Sequence, residues 1–288
     1  MKTYYECLAC IINQTIKNLS AVEKNKHDEI LRKVLIGLAD ADYTLSPPEL
    51  AKKTYDLIGE YTGGKDAYAE IKKTSNKYIL DLYDELKNII RKSDNPFETA
   101  LHLAVAGNII DFGAKHNYSD KQIHREINEM LSADLSSSHT EELKNEINNA
   151  DKILYLGDNA GEIVFDKLFV EQLPKEKIIF AVRGKPVIND ATIDDAEDVG
   201  LTKIVKVIDN GSGYPGTVLK DCSEEFIKTF EEADLIISKG QGNYETLSEV
   251  DKNIFFLLRI KCDIVARDLN KNPGDFVVLS GYKKYLTT

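Results

Sequence analysis

The sequence predicts an α/β protein: a three-layer α/β/α fold with a mainly parallel, doubly wound sheet, preceded by a helical N-terminal region. Three observations predict it. The first half carries apolar residues at helical spacing, and the second half alternates short β-rich runs with helical stretches. Those runs are apolar throughout rather than alternating, as strands covered on both faces are. The expected organisation is a helical region over residues 1–148 and a Rossmann-like α/β domain over residues 149–288. Ligands are expected at the carboxyl ends of the strands, near the junction of the two.

Along the first half, "HDEILRKVLIGLADA" places Ile30, Leu31, Val34, Leu35 and Leu38 on one helix face. "SPPELAKKTYDLIGEYTG" has Ser46 as a cap, prolines in the first turn and Gly63-Gly64 as a stop. "AYAEIKKTSNKYILDLYDELKNIIRKSDNP" reads as one long helix ending at Asp94-Asn95-Pro96, and "FETALHLAVAGNIIDFGA" as a buried one. "SDKQIHREINEML" follows, with Ser119 as its cap. The strands are read at KILYLG, KIIFAVRG, KIVKVID, DLIISKG, IFFLLRI and FVVLSG.

A length of 288 residues allows a large core, and 42% hydrophobic with 30% charged residues is an ordinary globular composition. The net charge of −11 argues against nucleic acid as a partner, since duplex binding draws on basic contacts to phosphate. No apolar run approaches a membrane span and the start resembles no signal peptide, so no membrane and a cytoplasmic location are expected. Four cysteines, Cys7, Cys10, Cys222 and Cys262, make no disulfide framework. Cys7-x-x-Cys10 has the spacing of half a zinc site, but no second pair completes it, and two helix cysteines are the favoured reading. Oligomeric state carries no signal.

The polar residues that follow the strands are the candidate site. They are Asp158-Asn159-Ala160-Gly161-Glu162, Arg183 to Thr192, Asp209-Asn210-Gly211-Ser212-Gly213, Lys239 to Glu245, and Arg259-Ile260-Lys261-Cys262. The ordinary explanation is turn chemistry, because Asp and Asn cap helices and glycines permit tight corners. Asp194 and Asp195 fit a first helical turn, and Lys203 and Lys206 a solvated strand face. Gly157-x-x-x-Gly161 lacks the dinucleotide spacing, and an Asp there would repel a pyrophosphate. A divalent ion removes that objection. Asp158, Asn159 and Asp190 offer hard oxygen ligands suited to Mg²⁺ or Mn²⁺.

Taken together, "GDNAGE", "PVINDAT", "DNGSGYPGT" and "SKGQGNYETL", behind a helical region with "AGNIIDFG", resemble the DUF89 family of damage-control phosphatases, the ARMT1-like proteins. The N-terminal "CLAC" and the chain length resemble its compact branch, and the likeness spans essentially the whole chain. The resemblance implies a metal-dependent phosphatase using Mn²⁺, Co²⁺, Ni²⁺ or Mg²⁺ on small phosphorylated metabolites, such as sugar phosphates or damaged cofactor phosphates. It implies Asp158, Asn159 and Asp190 as metal ligands, Glu162 at an acidic substrate-contacting position and Lys239 in a substrate-contacting segment; by residue type, Asp158, Glu162 and Lys239 are the expected catalytic residues. Asn243 and Lys261 match substrate-contacting segments, although the family's Arg-Thr-x-Lys reads Arg259-Ile260-Lys261-Cys262 here.

In the expected mechanism the metal polarises a phosphoryl oxygen and activates water, and Glu162 orients or deprotonates that water. Lys239 and Lys261 offset equatorial charge, and backbone amides at 209–213 (Asp209, Asn210, Gly211) form a phosphate nest. Attack by water is preferred to an aspartyl-phosphate on Asp158. Asn108 and Asp111 in the helical region are expected to shape the substrate pocket, unless both satisfy buried backbone groups. Two other readings compete: a nucleotide or cofactor carrier without hydrolysis, and, less favoured, a carboxyl methyltransferase using S-adenosylmethionine.

Overall fold

The computed structural model describes residues 1–63, 66–107, 120–132, 135 and 139–281. Six strands form one sheet: β1 (Ile153–Leu156), β2 (Ile178–Val182), β3 (Lys206–Asp209), β4 (Leu235–Lys239), β5 (Ile254–Arg259) and β6 (Phe276–Ser280). Their order is β3-β2-β1-β4-β5-β6. The first five are parallel, and β6 returns antiparallel to β5. Strand order reverses between β1 and β4, the crevice where doubly wound folds bind ligands. Register sharpens the point. Leu156 pairs with Ala181 on one side and Ser238 on the other, so Asp158 leaves the sheet level with Arg183 and Gly240.

Both faces of the sheet are covered. On one face lie α4 (Ala69–Asp81), α5 (Tyr83–Lys92), α6 (Pro96–Ala106), α7 (Asp120–Leu131), α8 (Thr140–Asn149), α9 (Glu162–Val170) and α10 (Ile193–Asp198). They share a core with Tyr155, Phe180, Ile237, Phe255 and Leu257. The stacked Tyr155 and Phe180 rings, 4.9 Å apart, join β1 to β2 and contribute on the order of 1 kcal/mol beyond their burial. The opposite face packs Leu154, Leu156, Ile236, Phe256 and Leu258 against α11 (Glu224–Glu232), α12 (Gln241–Leu247) and α13 (Asp263–Leu269). The first helices, α1 (Tyr5–Asn18), α2 (His27–Ala39) and α3 (Pro47–Thr62), form a smaller cluster around Ile30, Val34 and Leu38. The helical half and the sheet are therefore joined by a common core through α4–α8.

Most local readings hold. Ser46 and Glu49 make a capping box at α3, with Pro47 at its start and Gly63 left-handed at its end. Asp195 closes another on Thr192, and Lys203 and Lys206 are solvent-exposed. Two readings need correction. The long helix is broken at Leu82 into α4 and α5. Acidic Asp84 and Glu85 in the first turn of α5, and basic Arg91 and Lys92 in its last, give the second piece its own favourable dipole. The third strand starts at Lys206, because Leu201–Lys203 turns as a 3₁₀ helix that carries Leu201 into the core. The Ser119 cap lies outside the described residues. Among those residues no helix is long and apolar enough to cross a membrane.

Candidate active site

The turn after β1 is stitched to the loop after β2 by backbone. Asn159 and Asp190 form an isolated antiparallel bridge, with Ala160 N–H donating to Asn189 O (2.8 Å) and Ala191 N–H to Asp158 O (2.8 Å). Ile188, just before Asp190, has φ 42°, a left-handed conformation costly for a β-branched residue, about 1–3 kcal/mol. That strain is carried where Asp190 is brought up to Asn159.

Arg183 then organises the carboxylates. Its Nε donates to Asp190 Oδ2 (2.7 Å), Nη1 to Thr217 Oγ1 (3.3 Å) and Nη2 to Asn243 Oδ1 (3.2 Å). Asp158 Oδ1 lies 3.9 Å from Nη2, with only 11% of the Asp158 side chain open to solvent. Burial, reinforced by the charges of Asp190 and Glu162, pushes the Asp158 carboxyl up to about 8 against the pull of Lys261 and Arg183. Asp190 is raised as well, by burial, against the opposing charge of Arg183. Two neighbouring carboxylates, both raised mainly by burial, are an anionic site short of positive charge.

Behind them sits a second cluster. Lys239 is fully buried, its ammonium donating to Glu162 Oε1 (2.6 Å) and Asp166 Oδ1 (2.5 Å). Tyr155 OH donates to the same Asp166 oxygen (2.8 Å). Asn159 links the clusters, its amide donating to Asp158 Oδ2 (2.8 Å) and Glu162 Oε2 (3.2 Å). Gly240 leaves the room: at φ 81°, a Cβ there would stand 2.1 Å from Asp158 Oδ2.

The donor set fits a hard divalent cation. Two carboxylates and one amide carbonyl come from adjacent strand ends, and the Asn159 amide nitrogen is already engaged, which leaves its Oδ1 for a ligand. Among the described residues no group of three or more His, Cys, Asp or Glu is placed to hold a metal. The trio Asp158, Asn159 and Asp190 contains only two such residues and leaves coordination positions to water and substrate. The cysteines are free; Cys7 and Cys10 lie in α1, where the sequence reading put them.

The structure brings together Asp158, Asn159, Glu162, Asp190 and Lys239, with Lys261 near enough to act on both aspartates. It moves others. Lys239 lies in the core behind Glu162 and does not face the cleft. Asn243 is wholly committed as a brace, donating to Lys239 O (2.7 Å) and Gly157 O (3.3 Å) while accepting from Arg183 and Thr217. Of the nest expected over 209–213, three amides are taken: Asn210 N–H bonds Val182 O (2.9 Å), Gly211 N–H bonds Asp209 Oδ1 (2.8 Å), and Asn210 Oδ1 accepts from Ser212 N–H, as it does from Gly184 N–H (both 3.0 Å). Short turn side chains satisfy two of those amides locally, so none of the three is left for phosphate. Asn108 and Asp111 lie outside the described residues.

Sequence reasoning missed three contributors, Asp166, Asn76 and Tyr55, and gave no role to a fourth, Arg183, which begins a candidate loop. Arg183 was visible as a charge at the end of an apolar strand, as Lys239 and Arg259 are. Asp166 was visible as an acid at i+4 from Glu162 in an otherwise apolar stretch. Asn76 and Tyr55 gave no local signal. Asn76 Oδ1 accepts from Gly161 N–H (2.7 Å) and its amide donates to Asp195 (2.9 Å), so α4 holds the β1 turn. Burial, and then the charge of Asp190, raise the Tyr55 phenol, which puts α3 beside the site. A groove of about 840 Å³ lies at the amino ends of β1–β3 and is lined by Lys152, Lys177 and Lys203. Its Lys152 pairs with Glu232 at the surface. Buried charge marks the other end of the sheet, and we place the site there.

Comparison with known proteins places the chain in a family. A family model for the damage-control phosphatase ARMT1-like domain matches residues 3–277. The chain belongs to that family. It is 36% identical to "Damage-control phosphatase PH1575" of Pyrococcus horikoshii, covering 97% of this chain and 98% of the relative. It is 38% identical to a protein of Archaeoglobus fulgidus named "Damage-control phosphatase", over 79% of this chain and 80% of that one. "Uncharacterized protein MJ0202" of Methanocaldococcus jannaschii is 34% identical over 95% and 94%. The crystal structure of the DUF89 family protein from P. horikoshii superposes with a TM-score of 0.87, covering 98% of this chain and 99% of that one.

Proposed function

We propose that the protein is a metal-dependent phosphatase that hydrolyses monoesters of small phosphorylated metabolites, sugar phosphates or damaged cofactor phosphates, in metabolite damage control. The observation that carries this reading is the convergence of Asp158, Asn159 and Asp190 at the strand-order reversal, under-supplied with positive charge. Family membership supports the phosphatase class.

Asp158, Asn159 and Asp190 would hold the ion, Mn²⁺, Co²⁺, Ni²⁺ or Mg²⁺. When bound, it supplies Lewis-acid chemistry for a phosphate ester. The protein supplies the rest. Arg183 holds Asp190 in place and brings a guanidinium within 3.9 Å of Asp158, and Lys261 adds charge from the loop after β5. Both can offset charge on equatorial phosphoryl oxygens. Glu162, 4% exposed and held by Lys239 and Asn159, is fixed as an acceptor facing the turn. The carrier reading fares worse, because the β1 turn offers few amides to a phosphate: Gly157, Ala160, Gly161 and Ile163 N–H groups all have internal acceptors.

The test is phosphate release from p-nitrophenyl phosphate and a panel of sugar phosphates. Turnover should require added Mn²⁺, Co²⁺, Ni²⁺ or Mg²⁺ and stop in chelator. Full turnover in chelator, or in Asp158→Ala, would end the proposal.

A further inference from the structure

Helix α9 is apolar almost throughout, with Ile163, Val164, Phe165, Leu168, Phe169 and Val170 buried, yet its centre carries Asp166 at 0% exposure. A carboxylate in that setting is costly unless it is paired and hydrogen-bonded. Asp166 is only half compensated. Its Oδ1 receives Lys239 Nζ and Tyr155 OH, while Oδ2 has no partner among the described residues. Lys239 in turn divides one ammonium between Asp166 and Glu162, at nearly equal distances of 2.5 and 2.6 Å. Helical spacing makes this possible, since residues i and i+4 share a face and both carboxylates reach the same cation from β4.

The division has a consequence for the cleft. Without Asp166, Lys239 would close on Glu162 as a one-to-one pair in a medium of low polarity, where such pairs are tight. With Asp166 competing, the ammonium stays deep, and Glu162 keeps its second oxygen for Asn159, the residue that joins it to Asp158. We propose that Asp166 is a positioning residue of the hydrolytic site: it draws the Lys239 ammonium toward the core and thereby fixes how Glu162 faces Asn159 and the β1 turn. Tyr155 fixes Asp166 from behind. The inference rests on the phosphatase reading above. The elevated Asp166 carboxyl, pushed up to about 6 by burial against the opposing charge of Lys239, is consistent with so incomplete a compensation.

The experiment is steady-state hydrolysis of p-nitrophenyl phosphate with Mn²⁺ by the full chain, with thermal melts run in the same buffer. The variants are Asp166→Asn, Tyr155→Phe, Lys239→Met and the double variant Asp166→Asn/Lys239→Met. Misplacing Glu162 should lower kcat of Asp166→Asn about 10- to 100-fold, with KM changed less than about threefold. Tyr155→Phe should lose roughly threefold in kcat, the loss of one supporting hydrogen bond. The double variant should be no worse than Lys239→Met alone, because Asp166 acts only through the lysine. Unchanged kcat in Asp166→Asn overturns the inference, as does a double variant whose loss is the product of the two single losses. Should Asp166→Asn fail to fold, unchanged kcat in Tyr155→Phe overturns it instead. No phosphate release by the unaltered chain overturns the phosphatase reading and this inference together, whereas release with an unaffected Asp166→Asn overturns the inference alone.

Discussion

Two Asp-Asn turns close two strands of the same sheet, Asp158-Asn159 after β1 and Asp209-Asn210 after β3, and they behave oppositely. After β3 the carboxylate is exposed and accepts the Gly211 N–H, while Asn210 gathers the Ser212 and Gly184 amides. That turn satisfies itself. After β1 the carboxylate is sunk beside Asp190 and Glu162, and the turn's amides are satisfied by Asn189 O and Asn76 Oδ1 from other segments. Bonds brought in from outside satisfy the amides that, after β3, the pair's own side chains satisfy. The dipeptide alone does not distinguish a cap from a ligand; the source of the neighbouring donors does.

The largest contrast should appear on removing each aspartate. Asp158→Ala should lower metal-dependent kcat/KM roughly 100- to 1,000-fold, the scale of losing a charge aligned with the reacting group. Crowding the same carboxylate should come next. Gly240→Ala puts a methyl group onto Asp158 and forces a non-glycine residue to φ 81°. Kinetics should show a loss of about 10- to 100-fold, and melts a destabilisation of ~1–2 kcal/mol.

Linkage separates the turns without mutation. A carboxyl raised in the folded state gives stability that is full at low pH and is lost as pH rises through its folded value. Asp158, ordinarily near 3.8 and here about 8, therefore makes the chelated protein less stable as pH climbs from 5 to 8, and Asp190 acts in the same direction. Calorimetric scans should show Tm falling over that range in chelator. Mn²⁺ should raise Tm more at pH 8 than at pH 5, because cation and proton compete for the same oxygens. Equal Mn²⁺ shifts at both pH values would remove Asp158 from the ligand set. The smallest effect belongs to the other turn: Asp209→Ala should leave kcat/KM within about twofold and cost ~0.5–1.5 kcal/mol for its hydrogen bond, read from denaturant midpoints.

The legibility of these features follows from how far each signal travels along the chain. Strands β1, β2, β4 and β5 are largely apolar runs, and the candidate ligands sit in the loops that follow β1 and β2, so Asp158, Asn159 and Asp190 could be read directly. The reversal of β6 could not, because direction is set by pairing with β5 and leaves no mark in "FVVLS". Asn76 and Tyr55 reach the site from α4 and α3, across sequence separations that no periodicity reports. Lys239 was found, but a lysine at a strand end suggests a cleft, and only its two partners on α9, Glu162 and Asp166, explain why it points into the core. Asp209, Asn210 and Gly211 misled for the reverse reason, since a turn rich in Asp, Asn and Gly looks the same whether or not its amides are free.

Isothermal titration of Mn²⁺ into the chelator-stripped protein tests the central claim, that the β1 turn holds the ion, most directly. Asp209→Ala should bind Mn²⁺ as the unaltered chain does, and Asp158→Ala should show no binding heat at the same concentrations. Undiminished Mn²⁺ binding by Asp158→Ala would contradict it.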